Sequence, residues 1–204
     1  MIAPVQQRDL LMLREAAQER NQEQVQFYAK RLLMALPYYY ALAIVVDRLV
    51  AFLPRFEAVY PDEKWVRQHL LVINAYGTAP DDTIAEMAMQ QSFEAPGMMN
   101  YLKAVYDLIE SMQEKHTGEA RIGFMTSALV NVVMAGLADA WYGERQEAWA
   151  RVRQNSFDPA TGQYTDPQAT QIAYHFWIDE DTTKRDQTAW LTIAEQIEAA
   201  LQRA

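Results

Sequence analysis

An all-α fold is predicted by three features of this 204-residue chain. Apolar residues recur at three- and four-residue intervals almost throughout, the period of a helix packed on one side. Pro4, Pro37, Pro54, Pro61, Pro80 and Pro96 stand where helices start or break. The stretch from Ile122 to Tyr142 is apolar nearly all the way round, as in a helix buried on most sides. The architecture expected is a compact orthogonal bundle of about nine helices around that buried central helix. One short β-hairpin or rigid loop is expected near 157–165.

The helices follow in order. Val5–Arg20 carries Leu10, Leu11, Leu13, Ala16 and Ala17. Asn21 is placed to cap Asn21–Leu36, and the short joint makes these two a helical hairpin. Pro37 begins a helix to Tyr60, through Tyr38-Tyr39-Tyr40, the run Ala41–Val46 and Leu49–Leu53, with Pro54 kinking or ending it. Pro61-Asp62-Glu63 sets a proline and two acids at the positive end of the next helix, which stops at Gly77. Pro80-Asp81-Asp82 opens a further helix, and Met98–His116 is strongly amphipathic, closed by Thr117-Gly118. Arg121–Arg153 is one long helix, or two with a break near Gly143, apolar first and amphipathic after.

The style then changes. Pro159 and Gly162 sit where a type I turn followed by a left-handed residue wants them. Asp166-Pro167 caps and starts Gln168–Ile178. Asp179-Glu180-Asp181 reads as a loop, after which Thr182 or Thr183, with Asp186 in reach, would cap the last helix. Residues 1–204 are expected to form one all-helical domain; were the chain to divide, the boundary would fall near 117–120.

Composition excludes several classes. The chain has no cysteine, so it has no disulfide framework, thiolate zinc site or cysteine nucleophile. Net charge is -9, with the acids concentrated after Pro61 and no basic stripe, which argues against nucleic acid as a partner. Met1–Arg8 lacks the apolar run of a secretory signal. Thr126, Ser127, Asn131 and Asp139 interrupt Ile122–Tyr142, so it reads as a core helix and not a membrane span. The expected address is the cytoplasm, without membrane association.

Four groups of residues bear on function. Gly123, Ser127, Asn131, Ala135 and Asp139 fall four apart on one helix face. Structurally that is a close helix–helix seam with internal hydrogen bonds; functionally it is a pocket wall or a self-association seam. His175, one turn before Asp179, could form an acid–base pair, whereas His69 and His116 read as structural. Asp81, Asp82 and Glu86 have the spacing of an acid cluster that holds magnesium, although acids are also favoured at a helix start. Tyr38, Tyr39 and Tyr40 point in three directions round a helix, so at least one must face another surface.

The expectation is a non-catalytic helical interaction protein, an adaptor or accessory subunit that self-associates or binds another protein, with no cofactor. The alternative is a small-molecule-binding helical domain with a pocket beside the central helix, near Ser127, Asn131, Asp139 and His175. A second alternative is a magnesium-dependent helical enzyme acting on a phosphorylated substrate through Asp81, Asp82 and Glu86.

Overall fold

The computed structural model describes residues 2–78 and 83–204. Within them lie ten α-helices and one two-stranded ribbon. The first five helices are α1 (Pro4–Glu19), α2 (Gln22–Met34), α3 (Tyr38–Val59), α4 (Trp65–Tyr76) and α5 (Thr83–Met89). α6 (Met98–Met112), α7 (Gly118–Gly143) and α8 (Gln146–Gln154) follow. Strands β1 (Phe157–Asp158) and β2 (Gln163–Tyr164), then α9 (Pro167–Ile178) and α10 (Glu180–Arg203), complete the chain. The fold is an all-α bundle.

Its centre is the pair α6 and α7, which share the largest helix–helix contact in the molecule. α7 also meets α2, α3, α8 and α10, and no residue between Ile122 and Tyr142 is exposed. By length and composition α7 is the one described helix apolar enough to cross a membrane; here its apolar surface packs against other helices. α6 is buried even more completely, and Asp107, Glu110 and Ser111 lie inside with its apolar residues. The fully buried Tyr101 ties α6 to α3, its hydroxyl donating to the Leu49 carbonyl at 2.9 Å.

Local chemistry sets most boundaries. The Asn21 side chain accepts from the Gln24 amide at 3.1 Å and starts α2. Gly77 ends α4 at φ 60, and Gly162 turns the ribbon at φ 69, both in the left-handed region that glycine enters freely. The ribbon pairs Phe157 with Tyr164 and Asp158 with Gln163. Asp166 accepts from the Gln168 and Ala169 amides at 2.9 and 3.2 Å, with Pro167 in the first turn of α9.

Three boundaries differ from the sequence reading, and two others fall on one of its alternatives. α3 runs through Pro54 to Val59, close to the expected end at Tyr60, and Leu53 and Phe56 hold both sides of the proline in the core. α4 starts at Trp65, after a turn over Pro61–Lys64. α6 ends at Met112, and Thr117 belongs to the next helix, its hydroxyl accepting from the Ala120 amide at 3.4 Å. α7 stops at Gly143, where the two-helix alternative puts the break, giving ten helices among the described residues where about nine were expected. Asp179 is the whole link between α9 and α10 and caps α10 itself, accepting from the Asp181 and Thr182 amides at 3.0 and 3.2 Å. An aspartate cap leaves Thr182 and Asp186 free to turn inward, and both are buried.

Candidate functional site

The small-residue stripe of α7 lies against a polar stripe of α6. Asp107 is fully buried, at 0% exposure, and collects three donors. Ser127 donates its hydroxyl to Asp107 Oδ2 at 2.7 Å, and Asn131 Nδ2 donates to the same oxygen at 3.3 Å. Lys103, one turn earlier on α6, pairs with Oδ1. Asn131 Nδ2 also reaches the Ser127 carbonyl at 3.0 Å, and Asn100 Nδ2 donates to Asn131 Oδ1 at 3.4 Å. Ser127 and Asn131 are therefore brought together as donors to a buried carboxylate. Where the stripe has no side chain beyond a methyl, the backbones close in. Gly97, at φ 76, sits so near α7 that a Cβ there would lie 2.2 Å from the Ala135 carbonyl oxygen.

Asp139 and His175, the other two candidate residues, stand apart. Asp139 is held by Arg55 of α3 in a two-pronged pair, Nε at 2.9 Å and Nη2 at 2.8 Å from Oδ1. That fork holds the Arg55 guanidinium above its usual range, against the opposing pull of burial. His175 is exposed on α9. The Asp179 carboxylate faces the first amides of α10, which hold it below the usual carboxylate range, and the two residues meet through the His175 carbonyl and the Asp179 amide at 2.9 Å.

A second buried acid lies further along α6. Glu110 receives His116 Nε2 at 2.7 Å and Lys115 Nζ at 3.1 Å. Burial alone would push its carboxyl up, but those hydrogen bonds outweigh it and hold it below the usual range. Glu86 of α5 faces the same corner through Tyr106, whose hydroxyl is pushed up by burial and by Glu110 and Glu86. Asp81 and Asp82 lie outside the described residues. Among the described residues, no three His, Asp or Glu side chains are grouped to share a metal ion.

The three tyrosines diverge. Tyr38 packs toward the core beside Ser111, where burial raises its hydroxyl above the usual value. Tyr39 and Tyr40 are exposed, Tyr39 at 73%. Tyr39 shares a shallow groove with Ala75 and Tyr76 of α4, and Tyr76 is 76% exposed. The rest of this outer face mixes apolar residues with the uncharged polar Gln68 and Asn74, the latter in the groove itself. On α3 the only exposed charges are Asp47 and Arg55, and Arg55 is committed to Asp139. On α4, Leu71, Val72 and Ala75 are exposed beside Tyr76, and Arg67 turns back to Glu57 at 2.6 Å.

One feature absent from the sequence reading lies on the other side of α7. A cleft of about 300 Å³ opens between α3, α7 and α10. Its walls are Ala51 and Phe52, Val132, Val133, Gly136 and Leu137, and Ala189, with Arg48 and Arg185 as its only charged residues. Arg48 Nε donates to Gln196 Oε1 at 2.8 Å, while its Nη2 is sealed from solvent and has no acceptor among the described residues. Burial pulls this guanidinium below its usual value, against the nearby carboxylates of Asp47 and Glu195. Arg185 is exposed and makes no hydrogen bond or ion pair among the described residues. Arginine next to a neutral apolar helix was the available signal, but three separate helices had to be assembled before it meant anything.

No family model, curated protein or solved structure matches this chain.

Proposed function

We propose that this chain is a non-catalytic helical interaction protein of the cytoplasm, an adaptor or accessory subunit that associates with a second copy of itself. The contact surface is the outer face of α3 and α4. The observation that carries the reading is Tyr39 and Tyr76 lying bare on either side of one groove, beside Leu71 and Val72, with hardly a free charge among them. Contiguous exposed apolar surface of this kind marks interaction sites, and tyrosine is enriched at their centres. A near-neutral patch on a chain of net charge -9 is also where two like-charged copies can meet most cheaply. A two-fold contact would set each patch against its own equivalent. A binding role is supported further by the seam of α6 and α7, whose polar groups are spent on one another.

Light scattering on the eluting protein at two concentrations tests this. The wild type is expected to run as a dimer, and Leu71→Glu with Tyr76→Glu as a folded monomer with an unchanged helical spectrum. Both substituted positions are exposed, so the fold should lose no more than about 0.5 kcal/mol. A wild type that stays monomeric at the higher concentration would remove the proposal.

A further inference from the structure

We propose that the cleft between α3, α7 and α10 binds a small amphiphilic carboxylate, its apolar body on the α7 wall and its anionic head at Arg48 and Arg185. The inference rests on the cleft alone and does not depend on self-association through α3 and α4.

The volume, about 300 Å³, is at the low end of ligand pockets, which suits a medium-chain or single-ring acid. The walls offer such a molecule only carbon, apart from the two arginines. Both cations belong to the same opening but to different helices, α3 and α10, so an anion between them would join elements that otherwise touch only lightly. Arg185 makes no ion pair among the described residues. Arg48 is the more telling residue, because its Nη2 is buried and has no acceptor among the described residues. Buried donors are nearly always matched, and an unmatched one calls for a partner that the described residues do not supply. Asp47 and Glu195 act on Arg48 through space without hydrogen bonding to it, so its charge is moderated but its donors are not used up. Arg48 lines the cleft together with Arg185, so a carboxylate seated there lies beside two guanidinium groups. Neutral and cationic amphiphiles of the same length would lack that pairing.

Gly136 makes the test clean. It lies in the cleft wall, and a Cβ placed on it would meet nothing within 4 Å. A larger side chain there fills the cleft without disturbing the fold.

The experiment is calorimetric titration of the full chain with octanoate, octanol and octylamine, paired with thermal melts. Octanoate should bind, raise the melting temperature with concentration, and exceed octanol by about tenfold, the gain expected for a hydrogen bond to a charged group. Octylamine should bind more weakly still. Arg48→Met should bring octanoate down to the octanol level, and Arg185→Gln, an exposed change, should weaken octanoate alone. Gly136→Leu should abolish binding of both while melting at or above the wild-type temperature. Failure of octanoate to bind, equal binding of acid and alcohol, or a Gly136→Leu variant that binds like wild type would each overturn the proposal.

Discussion

Asp107 shows how a single side chain can decide what a helix seam is made of. A carboxylate with no exposure is unfavourable unless its lone pairs are filled, and here Ser127, Asn131 and Lys103 fill them. Lys103 keeps its stem in reach of water, so the pair is only half sunk and the lysine need not be stranded if the acid is changed. Asp107→Asn keeps the shape but turns one acceptor into a donor facing the donors of Ser127, Asn131 and Lys103. The expected loss is about 1–3 kcal/mol in urea unfolding, with an unchanged m-value. Ser127→Ala removes one donor and leaves two, so its loss should be the smaller. The reverse order would mean that Ser127 and not the carboxylate anchors the network. Half of this cluster can be read from the chain: Ser127 and Asn131 stand out as polar groups in an apolar helix. The other half is written there too, as Asn100, Lys103 and Asp107 at three- and four-residue spacing on the preceding helix. What the chain does not say is which of its polar stripes face each other, because that pairing is set by the packing of the whole bundle. The same limit hides Arg48 and Arg185, which lie far apart in sequence and line the same cleft.

At the scale of elements, two glycines carry opposite meanings. Gly97 precedes α6 at positive φ with the backbone of Ala135 against it, so glycine is needed twice over, for the dihedral and for the space. Gly136 sits in the middle of α7 with open space where a side chain would be. Gly97→Ala should cost roughly 2–5 kcal/mol, the sum of a left-handed alanine and an overpacked contact. Gly136→Ala should stabilise by about 0.5–1 kcal/mol, since a helix interior favours alanine over glycine. Paired thermal melts would show the two displaced in opposite directions from wild type. A harmless Gly97→Ala would mean that the approach of α6 to α7 is looser than drawn. Helix existence was readable from apolar period and proline punctuation, and caps such as Asn21, Gly77 and Asp166 from residue type. The misplaced ends have a common cause. At Thr117 and Asp179 a residue expected to end a helix or to lie in a loop instead caps the helix that follows, accepting from its first amides.

The whole molecule is closed by contacts between its two ends. α1 packs on α2 and on α10, and Arg14 bonds Glu198 at 2.5 Å across that last contact. The joint of α1 and α2 is held from the far end of the chain as well. Arg20, left-handed at φ 58 without being glycine, reaches the Trp177 carbonyl and pairs with Asp186 at 3.4 Å. A strained backbone of this kind persists only where its surroundings impose it. One hydrophobic cluster extends from Leu10 to Leu201 and includes both α6 and α7. A division near 117–120 would part those two helices, expose the apolar face of each and leave Asp107 without Ser127 and Asn131. Neither half could then keep its core, so loss of one should bring down the other. Unfolding is therefore expected to be a single transition. Helical signal measures the whole chain, whereas tryptophan emission is weighted toward the second half, where four of the five tryptophans lie: Trp141, Trp149, Trp177 and Trp190. Urea curves from the two probes should superimpose with one midpoint and one slope. If the emission curve separated from the helical one, α1–α6 and α7–α10 would be independent units, and the contact of α6 with α7 would be a docking surface between them and not the core of one body.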